Sequence, residues 1–168
     1  GRNVAPRGRA TQSSVYFGGT PDRAIDGRTD GSYFRNSVTH TTFSRSPFWE
    51  VDLGSDCVID RIVVWNRTDT GGQYADRLAD FSLIVLSGDR SSVCRVDRIP
   101  APSLNCTIAP AVESGKPLRL AWSMPPSAPA VPTTPSSPAA NVGLALGTVV
   151  PGMDGWLHGD IGAVEAAG

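Results

Sequence analysis

The run Phe48-Trp49-Glu50-Val51-Asp52-Leu53 (FWEVDL, 48–53) decides the fold class. Trp49, Val51 and Leu53 fall on one side, and Glu50 and Asp52 on the other. This period of two is that of a strand with one face on a core and one facing water. Two further runs extend the reading. VIDRIVVWN (58–66) is more continuously apolar, as expected of a strand in the middle of a sandwich, and FSLIVL (81–86) is strand-like throughout. Gly, Asp, Ser and Pro clusters between the runs mark turns. No ten-residue segment carries a helical period. Short strands punctuated by turns predict an all-β domain, a β-sandwich or jelly roll.

Composition agrees. The 168 residues include 18 Gly and 14 Pro, with 18% charged residues. That mix suits a turn-rich β domain better than a helical bundle. The formal net charge of -1 provides no clustered positive charge for nucleic acid or a membrane surface. No apolar stretch approaches the roughly 20 residues of a membrane-spanning helix. No signal peptide is visible in the opening GRNVAPRGRATQSS. The cations are almost all Arg, which suits fixed, forked hydrogen bonding.

Cys94 and Cys106 flank a short segment containing Pro100 and Pro102. A disulfide across a hairpin-like excursion is the expected pairing. It would add on the order of 3 kcal/mol and imply an oxidising, extracellular compartment. Two buried thiols are the alternative. Cys57 is left over, in a turn. Asn66 and Asn105 head N-x-[ST] sequons.

Character changes at Trp122. Residues 1–122 read as one folded unit. Residues 123–140 are a Pro/Ala/Ser/Thr-rich linker, expected to be extended and disordered. Residues 141–168 read as an unassigned tail or the start of another segment.

Four stretches of the N-terminal unit resemble the F-type lectin family, a branch of the discoidin-like (coagulation factor type C) sandwiches. They are NVAPRGRATQSS (3–14), AIDGRTDGSYFRNSVTH (24–40), PFWEVDLG (47–54), and IVVWNRTD (62–69) followed by RLADFSLIV (77–85). The resemblance implies a discoidin-like jelly roll that binds terminal L-fucose or fucosylated glycans, is secreted and has no catalytic chemistry. The family's sugar motif is a His, 26 residues, then Arg-x-Asp and a second basic residue. Here His40 precedes Arg67-Thr68-Asp69 by that spacing. Tyr74 stands where the second basic residue usually lies, and Arg77 follows three positions later, which implies a lengthened loop over 70–76.

The chemistry suits a deoxy-sugar. Arg67 and Arg77 offer charge-assisted donors, His40 can meet an axial hydroxyl, and Asp69 is expected to orient an arginine rather than touch sugar. The resemblance places Tyr33 and Phe34 near the apolar face of the sugar; Tyr16, Phe17 and Tyr74 are secondary candidates. It also implies a structural calcium ion held by Asp26, Ser37 and the carbonyls of Arg23 and Arg28, because hard oxygen ligands suit calcium. The family closes its fold with a strand carrying a ligand Glu. That strand is not found by pattern, and Glu165 in GAVEAAG is only a poor echo of it. The unit is therefore expected to lack its closing strand.

Two other readings stand beside this one: an adhesion module for another glycan or a protein surface, and a non-catalytic targeting domain of a larger, fucosidase-associated enzyme. No His/Cys metal cluster, nucleophile elbow or phosphate loop argues for catalysis.

Overall fold

The computed structural model describes residues 1–55, 57–110, 143–148 and 160–167, with 143–148 described through its backbone. It is all-β. The strands are β1 (Arg9–Gln12), β2 (Phe48–Asp52), β3 (Arg61–Trp65), β4 (Phe81–Leu86), β5 (Ser92–Ile99), β6 (Asn105–Ile108), β7 (Gly143–Thr148) and β8 (Ala163–Ala167). One sheet runs β1-β2-β7-β4-β5 and the other β6-β3-β8. All named pairs are antiparallel.

Alternation builds the core between the sheets. Trp49 and Val51 of β2, Phe81, Leu83 and Val85 of β4, and Ile99 of β5 pack in one cluster with Ile62 and Val64 of β3 and Val164 and Ala166 of β8. Leu53, Ile59 and Leu78 close the cluster from the connecting loops. Removing this apolar surface from water is the main favourable term for such a sandwich.

Three sequence expectations need correction. First, the tail reading of 141–168 does not hold where that segment is described. β7 lies between β2 and β4, with Glu50 opposite Ala145 and Ile84 opposite that same residue. β8 pairs with β3, with Val63 opposite Glu165. The strands that complete both sheets thus lie beyond the Pro-rich stretch. Gly and Ala leave them without a strong period-two signal. The linker assignment of 123–140 falls outside the described residues.

Second, Cys57, Cys94 and Cys106 are free, half-buried thiols packed against the core. Cys94 lies on β5 opposite Val85, and Cys106 on β6 opposite Val64. The segment between them crosses from one sheet to the other, so it is not the hairpin that a short bridge would close.

Third, Glu50 is buried rather than solvent-facing, although it lies on the face of β2 opposite Trp49 and Val51. Its Oε2 has no hydrogen-bond partner among the described residues. Burial pushes its carboxyl up from 4.5 to about 8; Arg90 opposes that rise and Asp52 adds to it.

The unfolded chain ionises Glu50 near 4.5 and the folded chain near 8, so between these values the unfolded state holds fewer protons. Stability attributable to Glu50 therefore falls as pH rises through that window, and the penalty is complete above it. Glu50→Gln keeps the shape and removes the charge. It is expected to raise the melting temperature above that of the wild type, on the order of 5 °C, at alkaline pH. The gain should vanish below pH 4.5. A gain that does not depend on pH would contradict this account.

Candidate functional site

At one end of the sandwich, two loops and the lead into β8 bring polar side chains to one point. The first loop is Ser37–His40. Its His40 N donates to Gly19 O (2.9 Å), and His40 O accepts from Tyr16 N (2.9 Å). Gln12 at the end of β1 ties the same layer together, with Nε2 donating to Ser14 O and Gly19 O at 2.7 and 2.8 Å. Gly19 is required by this close approach, since a Cβ there would lie 2.4 Å from His40 N.

The second loop follows β3. Asn66 is buried and fixes it: Nδ2 donates to Ala75 O (3.0 Å) and Pro102 O (2.7 Å), while Oδ1 accepts from Arg67 N (2.8 Å). Each of these groups would otherwise be an unpaired dipole near the core. The same bonds consume the Asn66 sequon. Beyond Asp69 the chain makes two 3-10 turns, Thr70–Gly72 and Ala75–Leu78, which occupy the stretch where a lengthened loop is expected.

The third contributor is the lead into β8. Ile161 O accepts from Thr39 N (2.9 Å), Ile161 N donates to Thr39 Oγ1 (3.2 Å), and Gly162 N donates to Trp65 O (3.0 Å). These bonds seat Asp160 between the His40 loop and the end of β3.

Four charged groups and one imidazole then meet. Arg67 Nε donates to Asp69 Oδ1 at 2.6 Å and NH2 to Asp69 Oδ2 at 3.2 Å, a forked pair. Tyr33 N also donates to Asp69 Oδ2 (2.9 Å). Arg67 NH1 and Arg77 NH1 both donate to Asp160 Oδ2, at 3.2 and 2.9 Å. Arg77 NH1 lies 3.3 Å from His40 Nε2, and His40 Nδ1 lies 2.8 Å from Thr41 O. A hydrogen on Nδ1 and a lone pair on Nε2 satisfy both imidazole contacts. His40, Arg67 and Asp160 are 4%, 5% and 0% exposed and form a buried polar floor, with the Arg77 side chain 27% exposed beside it. Burial disfavours the charge on Arg67, but the hydrogen bonds and charge of Asp69 and Asp160 outweigh it and raise its pKa above the ordinary value.

Aromatic rings surround this floor. The Arg67 guanidinium carbon lies 4.8 Å from the Tyr33 ring centre and 4.5 Å from that of Tyr74; Arg77 stacks on Tyr74 at 4.3 Å. Tyr16, Phe17 and Tyr33 contact the His40 ring at centroid distances of 5.4, 6.1 and 6.0 Å. The Tyr33 hydroxyl donates to Phe17 O. Phe34, 6.0 Å from Tyr33, and Phe17 are exposed at the rim. Phe17 holds φ 46°, a left-handed conformation unusual for a bulky residue.

The structure thus brings together His40, Arg67, Arg77, Asp69 and Tyr33, with Phe34 at the edge. Asp160 escapes the sequence reading. Its signal is only that it is one of three charged residues after Ser123, beside Asp154 and Glu165.

The residues considered for calcium lie on the loop that precedes His40. Asp26 Oδ1 accepts from Arg28 N (2.8 Å), and Ser37 Oγ donates to Arg28 O (3.5 Å), so both side chains meet the Arg28 backbone. The guanidinium of Arg23 is engaged by Asn36 Oδ1 and Val38 O, and that of Arg28 by Arg35 O. Glu165 Oε2 accepts from Trp65 Nε1 at 3.4 Å. This donor set is of the hard-oxygen kind that calcium takes, with Asp26 as its one carboxylate. Among the described residues, no group of three or more His, Cys, Asp or Glu side chains is placed to hold a metal.

Residues 23–111 match the family model of NedA-like, galactose-binding F5/F8 type C domains. Fucolectin-1 of Anguilla japonica is 41% identical over 76 residues, covering 42% of this chain and 43% of that protein. The chain therefore spans less than half the length of this curated relative. Among solved structures, a fucose binding module of Streptococcus pneumoniae superposes with TM-score 0.73 at 22% identity, covering 99% of this chain and 98% of that one. The lectin domain of lectinolysin, complexed with Lewis B antigen, gives TM-score 0.73 at 23% identity, covering 99% and 96%. At these identities the structural likeness establishes the jelly-roll fold. The matched relatives are lectins and carbohydrate-binding modules. The chain belongs to the F5/F8 type C family of NedA-like, galactose-binding domains, and its likeness within that family is to the F-type lectins.

Proposed function

We propose that the chain is a carbohydrate-recognition module for terminal L-fucose and fucosylated glycans, acting outside the cell and without catalysis. One observation carries this reading. The donors of Arg67 and Arg77 and the acceptor Nε2 of His40 converge within the span of one monosaccharide, ringed by Tyr33, Phe17 and Phe34. A fucose ring offers adjacent hydroxyls, one of them axial, beside an apolar methyl group. The guanidiniums suit the hydroxyl and ring oxygens, the imidazole suits the axial hydroxyl, and the aromatic rim suits the methyl and ring face. The names of the matched fucolectins and fucose binding modules support the same substrate class.

Asp69 serves by fixing Arg67, since both its oxygens are taken by Arg67 and by Tyr33 N. Calcium belongs to the proposal as a structural ion. Asp26, Ser37 and the carbonyls of Arg23 and Arg28 would hold it, stiffening the loop that presents His40. Low affinity per site would suit use through multivalency, or targeting of an attached enzyme.

On a glycan array, binding is expected to be confined to glycans with terminal fucose; binding without preference for fucose would contradict the reading. By calorimetry, His40→Ala and Arg67→Ala should each weaken L-fucose binding by about 10- to 100-fold, as loss of a buried or charged hydrogen bond does, with the melting transition retained. Wild-type affinity in both variants would remove the site assignment. Calcium should raise the melting temperature of the wild type, and Asp26→Ala should lose that increment; identical melting with calcium and with a chelator would refute the ion.

A further inference from the structure

We infer that Asp160 is a positioning residue of this site, one that holds Arg67 and Arg77 in a common frame and makes the site selective for neutral over anionic ligands. The inference deepens the fucose reading and rests on it for the identity of the sugar.

The argument begins with charge. Two guanidiniums lie at the floor, and like charges brought together away from water repel. Asp69 serves Arg67, through the fork described above. For Arg77 the facing carboxylate is Asp160, at 2.9 Å. Asp160 also reaches Arg67, so a single oxygen, Oδ2, bridges the two cations. Two arginines against two carboxylates leave the floor without net charge.

The geometry sharpens the point. Two N–H groups converging on one anionic oxygen form the arrangement that binds an oxyanion. Here the anion is built into the chain. Asp160 is fully buried, and the hydrogen bonds of Ile161 and Gly162 to Thr39 and Trp65 fix its backbone. A Cβ at Gly162 would lie 2.7 Å from Asn66 O, so the lead into β8 runs hard against the loop that carries Arg67. The second oxygen, Oδ1, lies 3.6 Å from His40 Nδ1 and has no hydrogen-bond partner among the described residues. That carboxylate is therefore retained by its two arginines rather than by a saturated network of its own. With Asp160 in place, the remaining N–H groups of Arg77 address neutral hydroxyls. Without its charge, the two guanidiniums would face a single carboxylate, and the excess positive charge would attract an anion.

Asp160→Asn keeps the shape and removes the charge. Two measurements on the full chain test the inference. In the absence of sugar, sodium sulfate is expected to raise the melting temperature of Asp160→Asn beyond its general salt effect on the wild type. In a competition format, sulfate should displace L-fucose from the variant and not from the wild type, and the variant's affinity for L-fucose should fall about tenfold. A variant toward which sulfate is as inert as it is toward the wild type overturns the inference. If Asp160→Asn does not fold, Asp160→Glu decides: it keeps the charge and should remain indifferent to sulfate, and sulfate binding to it overturns the inference. The sulfate arm needs no sugar. A wild type that fails to bind L-fucose would sink the proposed function while leaving the role of Asp160 to be decided by the melting data.

Discussion

Two arginines can sit at the closed end of this sandwich because two carboxylates meet them there. Taking a guanidinium out of water costs several kcal/mol, and the cost is recovered only where geometry and hydrogen bonding are nearly complete. Arg67 meets that condition through Asp69, Asp160 and two aromatic faces. Arg77, whose side chain is 27% exposed, is only partly withdrawn from water and is held by Asp160 and Tyr74. The cluster in turn dictates the loops around it. Asn66 must hold the backbone at the start of the Arg67 segment, Gly19 must let the His40 loop approach, and β8 must begin where Asp160 can reach both cations.

The fold supplies that convergence at little cost to its core. The two sheets bury apolar side chains between them, and the site is made from what leaves their ends. β3 delivers Arg67 directly, since Trp65 is its last residue. β8 delivers Asp160 from the neighbouring position in the same sheet. A residue that flanks a strand end is held by the hydrogen-bonded ladder beside it, so its side chain enters the site with little freedom left to lose on binding. The exposed rim is built differently. Phe17 and Phe34 stand on short turns, where they can meet a sugar face without disturbing the sheets.

Much of this was legible in the chain. The period-two run at 48–53 and the strand-like run at 81–86 correspond to β2 and β4, and the run at 58–66 encloses β3. The spacing of His40 and Arg67 picks out two residues that the structure joins through Asp160 and Arg77. What was not legible has physical causes. β7 and β8 are short and rich in Gly and Ala, which gives only a weak strand signal, and a Pro-rich stretch separates them from the rest. Asp160 lacks any local motif, because its function depends on a contact with residues about ninety positions away. Glu50 reads as solvent-facing because alternation reports two faces of a strand and cannot say that both are covered. The cysteine pairing failed for a related reason: nearness in sequence does not reveal a crossing between sheets.

The account stands on His40, Arg67 and Arg77 acting together on one ligand. Titrating the full chain with L-fucose while observing the His40 imidazole and the arginine side-chain N–H resonances by NMR tests this most directly. The account predicts that all three residues shift together along one saturable curve, while the resonances of buried Val51 and Leu83 stay in place. Saturable binding of L-fucose that leaves these three residues unmoved would contradict it.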